Sequence, residues 1–272
     1  MSGDYGQFAH LGWERAADRY EDFWMGLTTL FIVPLLKTVG AAPGMRILDV
    51  ACGPGCVSEA ATYLGAVTVG VDFSRHMVER ARRRSPGLEF LEGDAQQLPF
   101  DPGSFDAVVM NFGVMHVPKP EVAFSEARRV LRPGGRLGFT SWARPEENPG
   151  IRIMSEAIEA HADLNIDLPE GPPRFQFCDA HECRCALQAA DFAPSSLRFE
   201  TVRAEWRVPT PSFLFEAERD AGVRTAAVLA RQSPARLAAI QSAVEKAVQR
   251  HAVPGGYAIP MTAHVVAAGS PA

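Results

Sequence analysis

The residues with the clearest chemical potential lie between Ile47 and Gly55, where an apolar segment containing an aspartate leads into a glycine-rich turn. Gly53 and Gly55 let a ligand approach the backbone closely, and such a turn aims free N–H groups at that ligand. Asp49 would repel a pyrophosphate, but its carboxylate suits a ligand that carries an ammonium group. The stretch therefore predicts a loop that binds an amino-acid-like cation rather than a phosphate.

This loop has to be distinguished from the dinucleotide-binding pattern G-x-G-x-x-G. From Gly53 the chain reads Gly-Pro-Gly-Cys-Val-Ser, so Ser58 stands where a third Gly or Ala would allow close helix–strand packing. S-adenosylmethionine has an amino acid at one end, adenosine at the other and no phosphate. The pattern favours it over a nicotinamide or flavin cofactor, and a tight turn that binds nothing is the remaining alternative.

A second carboxylate, Asp72, ends the next short apolar segment and follows Gly53 by 19 residues. This spacing suits one strand–helix–strand unit, in which the acid at the neighbouring strand tip accepts hydrogen bonds from ribose hydroxyls. Both cofactor classes share the feature, so it does not distinguish between them. Ser74 follows as a predicted helix N-cap.

The elements that must position these groups follow in a regular order. Apolar strand-like segments alternate with helix-compatible ones, which predicts a parallel sheet flanked by helices. The predicted strands are residues 47–50, 67–72, 88–91, 105–110 and 136–142, and the predicted helices are 56–64, one after Ser74, and 120–132. An exposed loop, Gly93-Asp94-Ala95, falls at the carboxyl end of the third strand.

With these elements in order, the chain resembles a class I S-adenosylmethionine-dependent methyltransferase, of the small-molecule branch that includes the ubiquinone/menaquinone-biosynthesis type enzymes. The residues that carry the resemblance are Leu48-Asp-Val-Ala-Cys-Gly-Pro-Gly55, Gly70-Val-Asp-Phe-Ser74, Gly93-Asp94-Ala95, Leu98-Pro-Phe100, Ser104-Phe-Asp-Ala107 and Arg129-Val-Leu-Arg-Pro-Gly-Gly135. They cover residues 45–142 in order. The chain departs from the family at Ala51, where a Gly is common, and at Asp191, where a Gly often precedes the Phe.

The resemblance implies a fold, a cofactor and a set of binding residues. The fold is α/β, a Rossmann-like, doubly wound, mostly parallel seven-stranded sheet with helical lid segments at the N-terminus and between the last strands. The cofactor is S-adenosyl-L-methionine. The residues implied to bind it are Asp49, Ala51, Gly53, Gly55, Asp72, Phe73, Ser74, Met77, Gly93, Asp94, Ala95, Gln96, Asn111, Phe112 and Gly113.

One compact domain with three regions is expected. These are an N-terminal helical lid (1–44), the cofactor-binding core (45–145), and the remaining core strands with an inserted helical substrate lid (146–272). The first region is predicted to contain an apolar helix around residues 28–39. In the third region, residues 196–208 and 257–267 are expected as the last two strands, with the helices of 211–251 between them.

His116 is the candidate catalytic residue, because it closely follows the fourth predicted strand. Ligands of open α/β sheets bind beyond the carboxyl ends of the strands, which puts His116 at the reactive end. The unperturbed pKa of histidine lies nearest neutrality, so we predict a general base that also contacts substrate. The alternative is a loop cap or a ribose contact. Tyr20 and Trp24 are predicted to contact substrate, with simple core packing as the competing interpretation.

The composition of the chain excludes some classes of binding partner. The chain has 272 residues, 47% of them apolar, and a net charge of −5, which argues against non-specific nucleic-acid binding. The run Arg80–Arg84 is interpreted as a solvated helix end. The apolar run Leu27–Leu36 contains Pro34 and is too short to span a bilayer. We expect a cytoplasmic protein with a small-molecule substrate and neither nucleic acid nor membrane as partner, and the oligomeric state is open.

A cysteine-rich segment invites a zinc interpretation, because Cys178, Cys183 and Cys185 lie close to His181. The spacing is not that of a regular zinc motif. Asp179 is instead predicted to cap a short helix whose buried face includes Cys183. We therefore expect no metal, and no disulfides in a cytoplasmic protein.

These patterns predict methyl transfer to a small molecule, at a hydroxyl or an enol-like carbon of a moderately apolar metabolite, since the lid is aromatic and no basic pocket is evident. The alternative is a protein of the same fold that binds S-adenosylmethionine and binds or rearranges a ligand without methyl transfer. A nicotinamide oxidoreductase is disfavoured by Asp49 and Ser58.

Overall fold

An eight-stranded mixed sheet with flanking helices forms the framework of the computed structural model, which describes residues 4–271. The strands are β1 (Arg46–Val50), β2 (Val67–Asp72), β3 (Glu89–Glu92), β4 (Phe105–Met110), β5 (Leu131–Trp142), β6 (Arg198–Val208), β7 (Ala252–Val253) and β8 (Gly256–Gly269). Their order is β3-β2-β1-β4-β5-β8-β6, with β7 paired to β8. Strands β1 to β5 pair in parallel, and β8 runs antiparallel to both β5 and β6.

The described helices are α1 (Asp4–Phe23), α2 (Met25–Thr28), α3 (Ile32–Val39), α4 (Cys56–Tyr63), α5 (Arg75–Arg84), α6 (Pro120–Val130), α7 (Pro149–His161), α8 (Ala180–Ala189), α9 (Phe213–Ala221), α10 (Arg224–Leu229) and α11 (Pro234–Val248). Ser74 caps α5, as predicted, since its hydroxyl accepts from the N–H of Met77 at 3.2 Å. Helices α9 to α11 lie between β6 and β8 along the chain. The predicted α/β fold class is confirmed, and β7 is an addition to the seven predicted strands.

Strand β1 is buried from Ile47 to Val50, because the sheet is covered on both faces. Successive strand residues point to opposite faces, yet Ile47 and Leu48 are both fully buried. Leu48 packs with Val108 of β4, whereas Ile47 packs with Leu35 of α3 on the other face. The chain turns outward from β1 through β2 to β3, and then continues on the other side through β4. The carboxyl ends of β1 and β4 therefore border the topological switch point, where such sheets bind ligands.

Two predicted boundaries are wrong. Strand β5 begins at Leu131 rather than Arg136, because Leu131 already pairs with Phe105 before the register shifts at Ala107. The predicted helix over residues 28–39 is broken by a 3₁₀ turn at Thr29–Phe31. Thr28 and Thr29 bond their hydroxyls to carbonyls four residues back, which favours such a bend.

Helix α1 lies against the loop that follows β2. Arg80 of α5 donates to Asp18 at 2.9 Å and to Glu21 at 3.2 Å, and both acids belong to α1. Glu14 accepts a 2.6 Å bond from the hydroxyl of Ser74. The N-terminal helix is therefore tied to the edge of the sheet where the predicted binding loops lie.

Within residues 4–271, none of the helices has on its own the length and apolar character needed to cross a membrane. The segments Tyr5–Phe23 and Met25–Val39 reach that length and composition only as a pair, bent by 67°.

Candidate cofactor and acceptor site

The glycine turn after β1 adopts the left-handed backbone at three of five positions. Ala51, Gly53 and Gly55 have φ values of 53°, 52° and 84°. A Cβ at Gly55 would lie 2.7 Å from the ring of Phe90, so only glycine fits there. Ala51 holds a conformation that strains an L-residue, which gives a physical reason for the glycine common in the family at this position.

Asp49 is a buried carboxylate in which one oxygen accepts hydrogen bonds and the other has no hydrogen-bond partner in the described part of the chain. Its Oδ2 accepts from the Ser58 N–H at 3.0 Å and from the Ser58 hydroxyl at 2.8 Å. Its Oδ1 is buried and has no hydrogen-bond partner among residues 4–271. Burial raises the pKa of Asp49 to about 7, although the bonds from Ser58 oppose the shift. Asp49 borders a cavity of about 30 Å³ together with Tyr20 and Asn111. An ammonium group there would pair with Oδ1 and favour the ionised carboxylate, so the residues fit the amino-acid end of S-adenosylmethionine.

Asp72 fixes the two loops that flank it. Its Oδ2 accepts from the Gly53 N–H at 2.8 Å, and its Oδ1 accepts from the Ser74 N–H at 2.9 Å. Burial raises its pKa to about 6. Each carboxylate oxygen has two lone pairs, so these bonds leave capacity for the predicted ribose hydroxyls.

Asp94 borders a second small cavity, of about 40 Å³, beyond the end of β3. The residues around it are Ala51, Phe73, Gly93, Asp94, Ala95, Gly113, His116, Val117 and Pro118. Asp94 Oδ1 accepts from the Gln96 N–H at 2.9 Å, which shapes the loop. Six residues predicted to bind the cofactor, together with His116, thus surround one cavity.

The tip of β4 contains a second strained residue. Phe112 has a φ of 54°, and its N–H donates to the Thr140 hydroxyl at 2.6 Å. Thr140 in turn donates to Asn111 Oδ1 at 2.8 Å, and Asn111 Nδ2 donates to the Thr28 carbonyl at 3.2 Å. A Cβ at Gly113 would lie 2.6 Å from the Cβ of Ala51. The β1 and β4 loops are therefore in close contact, and strain of this kind is typical of functional sites.

His116 ends a 3₁₀ turn, Val114–His116, and its ring meets the Trp13 ring edge-on at 4.8 Å between centroids. Burial, together with the smaller effect of the Arg174 guanidinium charge, lowers the pKa of His116 to about 4. This differs from the near-neutral pKa assumed from the sequence, because the enclosing residues are distant in the chain. His116 is neutral at physiological pH.

A larger cavity, of about 130 Å³, lies next to His116 and has six aromatic residues in its walls. The aromatic residues that line it are Tyr5, Trp13, Tyr20, Trp24, Phe112 and Trp142. Trp24 donates to the Ala221 carbonyl at 3.1 Å and stacks on Trp206, with ring centroids 5.4 Å apart. We call this space the acceptor cavity. All three residues predicted to contact substrate, Tyr20, Trp24 and His116, line it.

Three charged residues in the acceptor cavity were not anticipated. Arg174, Glu218 and Arg224 line it, and Arg174 Nη2 lies 3.6 Å from Glu218 Oε1. The sequence-based expectation that no basic pocket exists is therefore wrong. Residues this far apart in sequence, on a loop and on helices α9 and α10, give no local signal that they meet.

The three cavities adjoin one another through shared residues. His116 lines both the acceptor cavity and the Asp94 cavity. Tyr20 and Thr28 line both the acceptor cavity and the Asp49 cavity. A ligand with its charged end at Asp49 and its base at Asp94 would thus have its middle next to the aromatic walls.

The cysteine-rich segment forms a capped helix, as predicted. Asp179 accepts from the N–H groups of His181 and Glu182, and Cys183 is fully buried. Cys178 Sγ accepts from Arg144 Nε at 2.9 Å. Within residues 4–271, no three His, Cys, Asp or Glu side chains are grouped so that they could hold a metal ion.

Comparison with known proteins adds independent evidence. Residues 48–139 match a family model described as "Methyltransferase domain". A demethylmenaquinone methyltransferase of Clavibacter sepedonicus is 42% identical over 187 residues, 62% of this chain and 74% of that protein. One of Renibacterium salmoninarum is 40% identical over 134 residues, 49% of this chain and 56% of that protein. The match thus spans little more than half the length of the latter relative.

A solved structure also resembles this protein. The phosphoethanolamine N-methyltransferase 2 of Haemonchus contortus, in complex with S-adenosyl-L-methionine, aligns with a TM-score of 0.53 and 21% identity. The alignment covers 89% of this chain and 52% of that one. At this identity the likeness shows the fold alone.

Proposed function

Because the chain belongs to the class I S-adenosylmethionine-dependent methyltransferase family, we propose that it transfers a methyl group from S-adenosylmethionine to a small-molecule acceptor. The observation that carries the proposal is the open oxygen of Asp49 beside a cavity that adjoins the acceptor cavity. A buried, half-bonded carboxylate is costly unless a cation pairs with it.

The residues divide the cofactor between them. Asp49 pairs with its ammonium group, Asp72 accepts the ribose hydroxyls, and Asp94 accepts the adenine amine while Ala95 donates its N–H to the ring. When bound, S-adenosylmethionine supplies a methyl group that its sulfonium charge has already activated. The protein has to align the acceptor with that methyl group and exclude water, and such alignment can contribute roughly 7–11 kcal/mol.

The acceptor is proposed to be a planar, quinone-related molecule, methylated at a hydroxyl or an enol-like carbon. Support comes from the printed names of the relatives and from the aromatic walls, since flat rings stack well on Trp and Phe side chains. Trp24 and Phe112 on the cavity wall suit such a ring.

His116 is proposed to take up a proton that the acceptor loses, which as a positioned base would contribute about 10²–10⁴-fold. Its pKa of about 4 keeps it neutral and able to accept a proton, but also makes it a weak base. An acceptor whose reacting hydroxyl binds already deprotonated would not need this base.

The test is a transfer assay with methyl-labelled S-adenosylmethionine and naphthalene-1,4-diol, kept reduced under anaerobic conditions. We expect release of S-adenosylhomocysteine together with a labelled, singly methylated product. S-adenosylhomocysteine binding without any labelled product from this diol or related phenols would favour a non-transferring binding protein. Calorimetry that showed NAD bound more tightly than S-adenosylhomocysteine would reject the family's cofactor for this chain.

A further inference from the structure

We infer that the acceptor cavity selects an acceptor carrying one negatively charged group, a carboxylate separate from the hydroxyl or carbon that is methylated, and that Arg174 binds that charge. The inference deepens the proposed function, on which it rests, by naming the charge class of the acceptor. It also assigns a role to a residue outside the sequence motifs.

The charges around the cavity carry the inference. Two guanidinium groups, Arg174 and Arg224, and one carboxylate, Glu218, line it. His116 adds no charge at neutral pH, because burial lowers its pKa to about 4. The lining therefore carries one net positive charge, which a single anionic group on the acceptor would balance.

Arg174 lines the cavity together with His116, and it is the guanidinium whose charge acts on that histidine. It is the charged residue that lowers the pKa of His116, which shows that its field acts on the imidazole. The charge of Arg224 acts on Tyr5 instead, and part of its guanidinium is engaged by a 2.9 Å hydrogen bond to the Pro169 carbonyl. An anion beside His116 would therefore meet Arg174 first.

The ion pair between Arg174 and Glu218 leaves N–H donors of the guanidinium available for a ligand. The 3.6 Å separation is that of an ion pair and too long for a strong hydrogen bond. A guanidinium has five N–H donors and can bind two oxyanions on different edges. Glu218, with only 8% of its side chain exposed, and Phe175, 5.6 Å from the guanidinium carbon, hold Arg174 in place.

A cationic acceptor is the competing class, because aromatic walls and a buried carboxylate can also bind an ammonium group. Two features oppose it. Glu218 is already paired with Arg174, and the same guanidinium field that lowers the His116 pKa would repel a cation. The balance of charges favours the anion.

The test uses three probes of one shape and different charge: 2-naphthoate, 2-naphthamide and 2-naphthylmethylamine. Their affinities for the intact protein are measured by calorimetry at pH 7.5, with and without saturating S-adenosylhomocysteine. We expect the naphthoate to bind about tenfold or more tightly than the amide, and the amine to bind most weakly. Equal binding of all three, no binding of any, or tightest binding of the amine overturns the inference.

Three variants make the assignment specific. Arg174→Gln should abolish the naphthoate preference and Arg174→Lys should keep part of it. Glu218→Gln, which removes the competing carboxylate, should tighten naphthoate binding severalfold. Arg152→Gln is the matched control, since Arg152 has a similarly exposed side chain paired with Glu156 and does not line the cavity. A naphthoate preference that survives in Arg174→Gln removes Arg174 from the role.

The design separates this inference from the proposed function. Binding of S-adenosylhomocysteine and release of labelled product test the transferase proposal without reference to probe charge. The probe series measures the cavity's charge preference even if no methyl group is transferred. Transfer to naphthalene-1,4-diol together with equal probe binding would overturn only the inference.

Discussion

Replacing Asp49 by Asn should have opposite effects on stability and on cofactor binding. Burial raises the pKa of Asp49 from its ordinary value near 3.8 to about 7. A carboxyl whose folded pKa is raised holds its proton more tightly in the folded state. The free energy of unfolding therefore falls as pH rises from about 4 to about 7. Above pH 7, the difference between the two pKa values lowers the free energy of unfolding by roughly 4 kcal/mol.

The Asn side chain removes that cost while keeping an oxygen for Ser58. Its amide nitrogen then takes the position of the open Oδ1, and a buried donor without a partner costs about 1–3 kcal/mol. The unliganded Asp49→Asn variant should thus be about 1–3 kcal/mol more stable than wild type at pH 8, and no more stable at pH 4. Urea unfolding followed by circular dichroism at both pH values measures the difference.

Cofactor affinity should change in the opposite direction, because the substitution that stabilises the fold should weaken binding. Only the ionised Asp49 pairs with an ammonium group, so wild-type affinity for S-adenosylhomocysteine should fall as pH falls through about 7. Between pH 7.5 and 5.5 the ionised fraction drops about 25-fold, and the affinity should drop with it. At pH 7.5, Asp49→Asn should bind about 10–150-fold more weakly than wild type, the worth of a charge-assisted bond.

Two controls isolate the carboxyl–ammonium pair. 5′-Methylthioadenosine lacks the amino acid, so its affinity should be unchanged by the substitution. Between pH 7.5 and 5.5 its affinity should fall only about fourfold, as Asp72, with a pKa of about 6, gains a proton. Asp106→Asn alters a carboxyl on β4 that pairs with Arg132 away from the cavities, and it should keep the pH dependence. Wild-type affinity for S-adenosylhomocysteine that stays flat from pH 5.5 to 7.5, or a variant that binds within threefold of wild type, would refute the reasoning.

Three other substitutions test the remaining assignments. Asp72→Ala removes the acceptor for the N–H groups of Gly53 and Ser74 as well as for the ribose, so calorimetry should show at least a tenfold loss of cofactor affinity; a loss under threefold contradicts the role. His116→Ala should reduce turnover about 10²–10⁴-fold with cofactor affinity intact, and the wild-type rate should fall only as pH drops through about 4, where His116 gains a proton; equal losses of binding and turnover would make it a binding residue. Wild type should bind S-adenosylhomocysteine more tightly than its inosine analogue, which lacks the adenine amine, and Asp94→Ala should erase that preference; equal discrimination by both proteins removes Asp94 from the site.

The sequence predicts the parts of the fold that depend on local pattern. The apolar segments of β1, β2 and β4 and the Ser74 cap are each specified within a few residues. The start of β5 at Leu131 was missed because it depends on pairing with Phe105, a contact between distant segments.

The residues of the site also fall into those predictable from local pattern and those that depend on distant contacts. The residues expected around the Asp94 cavity follow strand ends, and parallel strands bring their carboxyl ends to one edge of the sheet. No such rule brings Arg174 and Glu218 together, since a loop and helix α9 meet only through tertiary packing. The low pKa of His116 has the same origin, because Trp13 and Arg174 enclose it from distant parts of the chain.

The distribution of tryptophan has a practical consequence. The chain contains four, of which Trp13, Trp24 and Trp142 line the acceptor cavity, while Trp206 stacks on Trp24. Indole emission responds to the polarity and the ring contacts around it, so the intrinsic fluorescence of this protein originates almost wholly at the acceptor cavity. Each natural tryptophan is therefore an optical reporter, and entry of an unlabelled acceptor can be timed in a stopped-flow instrument without attaching any dye.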